Sequence, residues 1–412
     1  MSQDNKPSIK KIKSTGLMGK VMAEYFSEFK NAGESGSRKV AWCTSVGPAE
    51  LLRAMGFLVY FPENHGAMLG ASRMAPDLIP AANALGYSPD ICSYLTSDIG
   101  SYLKNVTPLT RAFGLDAIPR PDVMVYNTNQ CRDVKDWMEY YHREFGVPMA
   151  GVDTPRGVGE MTDTLLDSIT VQIKDLVPML EKVAGHKLDA AELEKVTELS
   201  RQCTDQWKKV LRSATHVPSP ISFFDGTIHM GPAVVLRGEQ RAVDYYEILN
   251  AELEERIGQG VAAVDDERYR IYWDGMPIWG KLREHAELFM SLKSCVVAST
   301  YCNSWIFEDL DGSDPFRSMA RAYTALFITR SEDYKESYIE RMVEDYKVSG
   351  ILFHDSKTCP NNSNCRYGMH ERLREKLALP TLVIHGDLND LRCYSEEQAR
   401  TNIEAFVEQL TA

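Results

Sequence analysis

The residues best placed for chemistry in this sequence are three cysteines, Cys92, Cys131 and Cys359. Cys131 and Cys359 end two segments, 123–131 and 351–359, that align without gaps: an apolar run, five polar or turn-forming positions, then the cysteine. A short apolar run followed by turn formers is typical of a buried strand that enters a loop. Both halves of the chain therefore place a cysteine past the carboxyl end of a predicted strand.

Cys92 has a different setting, at the start of a predicted helix. Ser88 is a suitable N-cap and Pro89 suits the first helical position, which puts Cys92 in the first turn. The positive end of a helix dipole favours the thiolate, which is the form that binds metal. The pattern therefore predicts a lowered pKa for the Cys92 thiol.

Three thiolates brought together by the fold suit an iron–sulfur cluster, because iron clusters prefer soft thiolate ligands. A cluster of four irons held by three cysteines would leave one iron open to substrate. The alternative is three ordinary half-buried cysteines, since free cysteine is among the most buried residue types. The odd count of nine cysteines and the lack of a Cys-x2-Cys pair weaken a zinc-ribbon interpretation.

The other six cysteines carry weaker expectations. Cys43 and Cys302 lie near predicted strand ends, where each is either a ligand or a core residue. Cys365, in an Asn-rich loop, is expected to be accessible to solvent. Cys203 and Cys295 are expected to pack in the core, and Cys393 is left undecided.

Polar residues that follow the first two predicted strands are candidates for the same cleft. We predict Ser45, Glu63 and His65 as catalytic residues, the histidine as a proton relay. The alternative for each is a solvated loop residue or, for His65, a hydrogen-bonded structural histidine. His354 and His385 also lie near strand ends and carry the same two interpretations.

The elements that must position these residues are two sets of strands separated by helical sequence. Such alternation predicts parallel α/β packing. The two sets pair in order, which indicates two duplicated, open, parallel-sheet lobes of flavodoxin or Rossmann-like type. The predicted strands are 39–43, 57–61, 122–126 and 148–152 in the first lobe, and 269–273, 295–300, 350–353 and 380–385 in the second.

In open α/β sheets ligands bind at the carboxyl edge of the strands, so the cleft between the lobes is the predicted site. No Gly-x-Gly-x-x-Gly follows the first strand and no Gly-x4-Gly-Lys-Ser/Thr occurs, so the usual nucleotide fingerprints are missing. We expect three regions: an N-terminal tail and helix over 1–37, a first lobe with linking helices over 38–215, and a second lobe over 216–412. Within the first region, residues 1–15 are expected to be disordered, 17–29 helical and 33–37 a linker.

Composition argues against a nucleic-acid-binding protein and against a membrane-spanning one. The net charge of −12 argues against binding to nucleic-acid backbones. No run of about 18 apolar residues is present, so no membrane span is expected. The lysine-rich N-terminus has no apolar core of the kind a signal peptide needs, and we expect a cytoplasmic protein with reduced cysteines.

Three segments carry a resemblance to a known family. Residues 90–100 (DICSYLTSDIG), 356–363 (SKTCPNNS) and 43–52 (CTSVGPAELL) resemble the benzoyl-CoA reductase / 2-hydroxyacyl-CoA dehydratase family. The resemblance spans roughly residues 38–406. The second segment is most similar to the larger catalytic subunit of the ATP-dependent, class I benzoyl-CoA reductases.

The resemblance implies a cofactor and partners. Members carry a [4Fe-4S] cluster in the cleft between two α/β lobes, and its three cysteine ligands match Cys92, Cys131 and Cys359. Because the chain has additional cysteines, a double-cubane cluster, which some relatives carry, stays an alternative. Implied partners are a homologous second catalytic subunit, an ATP-hydrolysing iron–sulfur activator, ferredoxin as the indirect electron donor, and an acyl-CoA substrate.

The implied chemistry is one-electron reduction of a thioester. In a reductase, low-potential electrons dearomatise an aromatic acyl-CoA such as benzoyl-CoA to a cyclic dienoyl-CoA, as in anaerobic aromatic degradation. In a 2-hydroxyacyl-CoA dehydratase, which is a lyase, a ketyl radical expels the neighbouring hydroxyl. A third hypothesis is a non-catalytic scaffold subunit, and the missing glycine fingerprint disfavours an NAD-dependent enzyme.

Overall fold

Two α/β lobes, each built on one four-stranded parallel sheet, form the described part of the chain, residues 11–410 of a computed structural model. The strand order is β2-β1-β3-β4 in the first sheet and β6-β5-β7-β8 in the second. The same order in both sheets confirms the predicted duplicated lobes. The strands are β1 Val40–Cys43, β2 Leu58–Tyr60, β3 Val123–Asn127, β4 Met149–Val152, β5 Tyr269–Asp274, β6 Ser294–Ser299, β7 Gly350–Ser356 and β8 Thr381–Gly386.

Helices cover the sheets and connect the strands. They are α1 Thr15–Ser35, α2 Ala49–Ala54, α3 Pro62–Ala71, α4 Ala75–Ala84, α5 Ser93–Lys104, α6 Pro108–Phe113, α7 Asp133–Phe145, α8 Asp163–Asp175, α9 Val177–Ala184, α10 Ala190–Arg212, α11 Phe223–His229, α12 Gly231–Val235, α13 Gln240–Gly258, α14 Leu282–Ser291, α15 Thr300–Asn303, α16 Pro315–Thr324, α17 Glu332–Asp345, α18 Met369–Leu377 and α19 Glu396–Gln409. Among the described helices, none combines the length and the apolar character needed to cross a membrane.

The centre of each sheet is apolar because its strands are buried between helices. Trp42 on β1 is fully buried and its ring lies 5.2 Å from Tyr60 and 4.8 Å from Tyr141. In the second lobe Trp273 on β5 has the same role and stacks on Phe223 at 5.4 Å. Buried aromatic side chains supply large apolar area, so the contacts with Tyr141 on α7 and Phe223 on α11 hold each sheet against a helix.

The N-terminal region is more ordered than the sequence predicts. The helix expected over 17–29 runs from Thr15 to Ser35, and Gly36 ends it with φ of 64°, a left-handed value that favours glycine. The linker predicted over 33–37 was therefore wrong for its helical part. The disorder predicted over 1–15 falls largely on residues outside the described range, but Ile12 is buried and the Ser14 backbone N–H donates to Glu252 at 2.8 Å.

Candidate functional site

The order of strands creates the crevice in which the site lies. In each sheet the second strand along the chain lies on one side of the first strand, and the third strand lies on its other side. The direction of strand addition therefore reverses between β1 and β3 in the first sheet and between β5 and β7 in the second. The loops at such a switch point leave in opposite directions and open a crevice at the carboxyl ends of the strands. Cys131 follows β3 and Cys359 follows β7, so both lie at a switch point.

The two crevices share one cavity of about 300 Å³. Both lobes line it, with Ser45 after β1, Cys131 after β3, Met276 after β5 and Cys359 after β7. Cys92, before α5, also lines this cavity. All nine cysteines lie in the described range, and the three predicted as ligands are the three that the cavity brings together.

Hydrogen bonds between the cysteine loops hold these three residues in one arrangement. The Cys92 backbone N–H donates to the Asp133 carboxylate at 3.1 Å, which connects it to the loop of Cys131. The next backbone N–H, of Ser93, donates to the Thr358 hydroxyl at 3.0 Å, which connects it to the loop of Cys359. The cysteine positions are therefore set by one contact within the first lobe and one contact between the two lobes.

Asp387, directly after β8, anchors two of these loops. Its carboxylate is fully buried and accepts from the Thr358 backbone N–H at 2.9 Å and from the Thr358 hydroxyl at 2.6 Å. The Ser93 hydroxyl also donates to it. This role was not predicted from the sequence, where the available signal was an aspartate directly after the last predicted strand. Asp153 occupies the matching place in the first lobe but is exposed.

A backbone N–H three residues further along the chain acts to lower the pKa of each of the three thiols. The donors are Leu95 for Cys92, Val134 for Cys131 and Asn362 for Cys359. A hydrogen bond to sulfur stabilises the thiolate, and such bonds tune the potential of clusters that cysteines hold. The repeated donor is a feature of the local turn after each cysteine, and the residue spacing of the sequence does not reveal it.

The predicted lowering of the Cys92 pKa was wrong. Removal from water raises the pKa of this thiol well above its usual value, and the neighbouring Cys131 and Cys359 raise it further. The Leu95 N–H acts in the opposite direction but is the weaker effect. Desolvation likewise raises the pKa of Cys131, and raises that of Cys359 to about 12. These three thiols are therefore protonated near neutral pH, and any metal that they bound would have to displace the protons.

The predicted helix start at Ser88 was also wrong. The helix begins at Ser93 and Cys92 is its N-cap residue. The Ser88 hydroxyl instead accepts from the Asp90 backbone N–H at 3.1 Å, which makes a tight turn. A serine that caps a turn and a serine that caps a helix look alike in sequence, and here the turn forms.

Glu63 and Ser45, both predicted as catalytic, line the cavity beside the cysteines. The Ser45 backbone N–H donates to one oxygen of the Glu63 carboxylate, and the Gln130 side-chain amide donates to the other at 2.8 Å. Burial of the carboxyl outweighs these donors and raises the pKa of Glu63 to about 7. A group with this pKa gives up or takes a proton readily near neutral pH.

His65 lies outside the cavity. Its side chain is 1% exposed; Nδ1 pairs with Asp98 and Nε2 lies 2.8 Å from the Thr107 hydroxyl. Asp98 also accepts from Trp137 at 2.9 Å and from Tyr141 at 2.7 Å. His65 is therefore the hydrogen-bonded structural histidine of the alternative interpretation, and the geometry gives it no contact with the cleft.

The remaining candidates lie away from the cavity as well. His354 is buried with Nδ1 2.6 Å from the Met276 carbonyl, and His385 is exposed beside Asp355. Cys365, expected to be accessible, is 5% exposed because its turn is fixed by the buried neighbour Asn364, which donates to Asp274 at 3.0 Å. Cys393 is half-buried and does not line the cavity. The other four cysteines are buried and do not line it either: Cys43, Cys203, Cys295 and Cys302.

Arg156 is a neighbour of the cysteines that sequence reasoning missed. Its guanidinium donates to the carbonyl of Gln130, directly before Cys131, and to the carbonyl of Ile328 in the second lobe at 3.2 Å. Its charge interacts with both Cys131 and Cys359. Neither its place in the loop after β4 nor its neighbours in sequence gave a signal for this contact.

The rest of the cavity wall is apolar and aromatic. Trp279 and Trp305 line it, whereas Trp273 and Phe307 are core residues. The Trp279 ring packs edge-on against Tyr301 at 5.8 Å. A site with thiols and one carboxyl group at an apolar, two-lobed crevice suits a soft metal cofactor and an apolar substrate better than a hydrated ion. In the described part of the chain no three His, Cys, Asp or Glu side chains converge closely enough to hold a single metal ion.

Comparison with known proteins identifies the family. The chain belongs to the family described as 2-hydroxyglutaryl-CoA dehydratase, D-component, whose pattern matches residues 44–410. The resemblance drawn from the sequence motifs is thereby confirmed.

Three relatives match the chain over nearly its whole length. It is 29% identical to the (R)-2-hydroxyisocaproyl-CoA dehydratase alpha subunit of Clostridioides difficile over 95% of both chains. It is 28% identical to the (R)-phenyllactyl-CoA dehydratase alpha subunit of Clostridium sporogenes, over 100% of this chain and 99% of the relative. It is 26% identical to a benzoyl-CoA reductase subunit of Thauera aromatica, over 100% of this chain and 97% of the relative. All three are subunits of enzymes named for acyl-CoA thioesters.

Proposed function

We propose that this chain is a catalytic subunit of an iron–sulfur enzyme that reduces an aromatic acyl-CoA, such as benzoyl-CoA, to a cyclic dienoyl-CoA. The observation that carries the proposal is the cavity itself. Three thiols from different parts of the chain face it beside a carboxyl group whose pKa is about 7. Family membership supports an acyl-CoA thioester as the substrate.

Cys92, Cys131 and Cys359 would hold a [4Fe-4S] cluster. Their donor chemistry fits this group, because three thiols share one cavity and a backbone N–H three residues beyond each cysteine favours its thiolate. When bound, such a cluster supplies single electrons at low potential. None of the other six cysteines lines the cavity, which favours one cubane over the double-cubane alternative.

Glu63 is the proposed proton donor for the reduced ring. Ring reduction adds protons as well as electrons, and a carboxyl group with a pKa of about 7 holds a proton on Oε near neutral pH. Ser45 and Gln130 fix the orientation of this carboxyl by their hydrogen bonds. Ser45 lines the cavity, so its hydroxyl is also the candidate donor to the thioester oxygen.

The aromatic wall would exclude water from the reacting thioester. Tyr94, Trp279, Tyr301 and Trp305 line the cavity together. The Trp279 indole N–H donates to the Tyr94 hydroxyl, so the polar atom of the indole is satisfied within the wall. A dry pocket strengthens the hydrogen bonds to the thioester and prevents loss of a reactive intermediate to water.

A second candidate function is dehydration of a 2-hydroxyacyl-CoA. The relatives from Clostridioides difficile and Clostridium sporogenes, both dehydratase subunits, favour it. In this reaction Glu63 would act as the base, taking a proton from the acyl chain while the hydroxyl leaves. For either reaction we propose a homologous partner subunit, an ATP-hydrolysing iron–sulfur activator and ferredoxin upstream of it.

The experiment that tests the proposal compares substrates. The chain is purified without oxygen together with any subunit that co-purifies, reduced with a low-potential reductant, and given benzoyl-CoA or 2-hydroxyisocaproyl-CoA. We expect mass spectrometry to show gain of hydrogen by benzoyl-CoA. Loss of water from the hydroxyacyl thioester alone would assign the second function, and no conversion of either by an iron-loaded complex would favour the scaffold hypothesis.

A further inference from the structure

The cavity lining is almost free of charge, and this restricts the acyl group that can enter. Glu63 is the single charged side chain among the described residues that line it, and no Lys, Arg or His does so. Polar groups gather beside the cysteines, where Gln130 and Ser45 contact Glu63. The other polar groups of the lining are neutral, so among the described residues the lining offers no cation that would pair with a carboxylate.

The apolar part of the cavity is built by the N-terminal helix α1. Met18, Met22 and Phe26 lie one turn apart on the same face of this helix, and all three line the cavity. Phe26 stacks on Phe113 at 4.2 Å. Met68, Met230 and Met276 contribute three more thioethers to the lining. Methionine side chains are flexible and fill irregular gaps, so this wall adapts to branched or aromatic groups.

We infer that this cavity selects acyl-CoA thioesters whose acyl group is bulky and neutral, and rejects those whose acyl group ends in a carboxylate. The inference rests on the proposed function and names the substrate class of the same site. Met18 and Met22 of α1 determine this specificity. They lie in the apolar wall, where a carboxylate at the far end of the acyl group would need a cation as its partner.

The size of the discrimination follows from the protonation of the acyl carboxyl. Without a counter-charge a buried carboxylate is strongly disfavoured, so the cheapest route is to enter protonated. For a carboxyl with an ordinary pKa of about 4.3, the protonated fraction at pH 7 is about 1 in 500. The selectivity for a neutral thioester over a carboxylate of similar size should therefore approach about 500-fold at pH 7 and fall about tenfold for each unit of lower pH.

The test measures binding without turnover. Isocaproyl-CoA and glutaryl-CoA are similar in size, differ in charge and share the CoA portion. Their affinities are measured by quenching of tryptophan fluorescence, since Trp137, Trp279 and Trp305 line the cavity. Calorimetry at pH 6 and pH 7 checks the result. We expect isocaproyl-CoA to bind at least about 100-fold more tightly at pH 7, with a smaller ratio at pH 6.

Two lysine variants on α1 separate a local effect from a general charge effect. Met18→Lys places a cation at a half-buried position that lines the cavity, whereas Ala23→Lys places the same charge on the exposed side of the same helix. Met18→Lys should tighten glutaryl-CoA binding at least about tenfold, which corresponds to about 1.4 kcal/mol, because its ammonium would pair with the acyl carboxylate; Ala23→Lys should not.

Each outcome has a definite meaning. Similar affinities for the two thioesters in the wild-type protein would overturn the inference, as would an equal gain from Ala23→Lys. If the folded, iron-loaded protein bound neither thioester, the proposed function itself would fail, and with it the inference. Tight binding of isocaproyl-CoA with rejection of glutaryl-CoA supports both.

Discussion

Replacement of Glu63 with glutamine tests the electrostatics of the site. The carboxyl group lines the cavity, is 8% exposed and has a pKa raised by burial from 4.5 to about 7. Glutamine keeps the shape and still offers an oxygen to the Ser45 N–H, but it neither titrates nor donates a proton as an acid. Gln130 can turn its amide to accept from the new side chain. The variant therefore removes charge and acidity with little change in packing.

The magnitude follows from the pKa shift. Because folding raises this pKa, the folded protein holds the Glu63 proton to a higher pH than the unfolded chain does. Its cost to stability is absent below pH 4.5, grows as the pH rises from 4.5 to about 7, and then stays constant. A shift of about 2.5 pKa units corresponds to about 3 kcal/mol, reached above pH 7. The stability advantage of Glu63→Gln over the wild type should therefore increase by about 3 kcal/mol as the pH rises from 4.5 to 8.

Urea unfolding of the cluster-free proteins at a series of pH values measures this difference. Other groups that titrate are shared by both proteins, so their contributions cancel in the comparison. Asp274→Asn is the control, because Asp274 is a buried carboxyl outside the cavity whose pKa is raised to about 6. Its variant should gain stability mainly between pH 4 and pH 6 and should keep turnover, whereas Glu63→Gln should lose turnover about 100-fold or more. A stability difference between Glu63→Gln and wild type that does not change with pH would refute the reasoning.

Three other substitutions address the frame around the thiols. Arg156→Gln should lower the reduction potential of the bound cluster, because a nearby cation favours the reduced, more negative state, and each tenfold loss of that preference corresponds to about 59 mV. Arg156→Lys keeps the cation and should keep most of the potential; a redox titration followed by EPR measures both variants. Asp387→Asn should cost about 3 kcal/mol in urea unfolding and weaken iron retention, because an amide offers a single oxygen to the donors from Ser93 and Thr358. Gly70→Ala should cost about 1–3 kcal/mol by thermal unfolding, since its Cβ would overlap Asn389.

The fold and the position of the cysteine loops were predictable because both depend on periodic or local sequence patterns. Short apolar runs separated by helical sequence predict parallel strands, and all eight formed within a few residues of the predicted ranges. The loops that hold Cys131 and Cys359 follow strands at a switch point, so their position at the cavity follows from topology. Glu63 follows the second strand and was found for the same reason.

Contacts between segments far apart in sequence were not predictable. Asp387 holds the Cys359 loop and the start of α5 together across nearly 300 residues, and no local pattern announces such a partner. Arg156 meets the carbonyl of Ile328 in the other lobe. His65 was assigned to the cleft because it follows a strand by a few residues, but α3 turns its ring towards Asp98. The direction of a side chain on a helix depends on where the helix begins, which the sequence alone did not define.

Iron and acid-labile sulfide content, measured on protein purified without oxygen and followed by EPR after reduction, tests the central claim most directly. We predict about four irons per chain, lost in Cys359→Ser and retained in Cys365→Ser. Cys365 is the matched control because it lies six residues further on, is buried and does not line the cavity. About eight irons would indicate the double-cubane cluster. A folded protein without iron, or iron lost equally from both variants, would contradict the three-cysteine site.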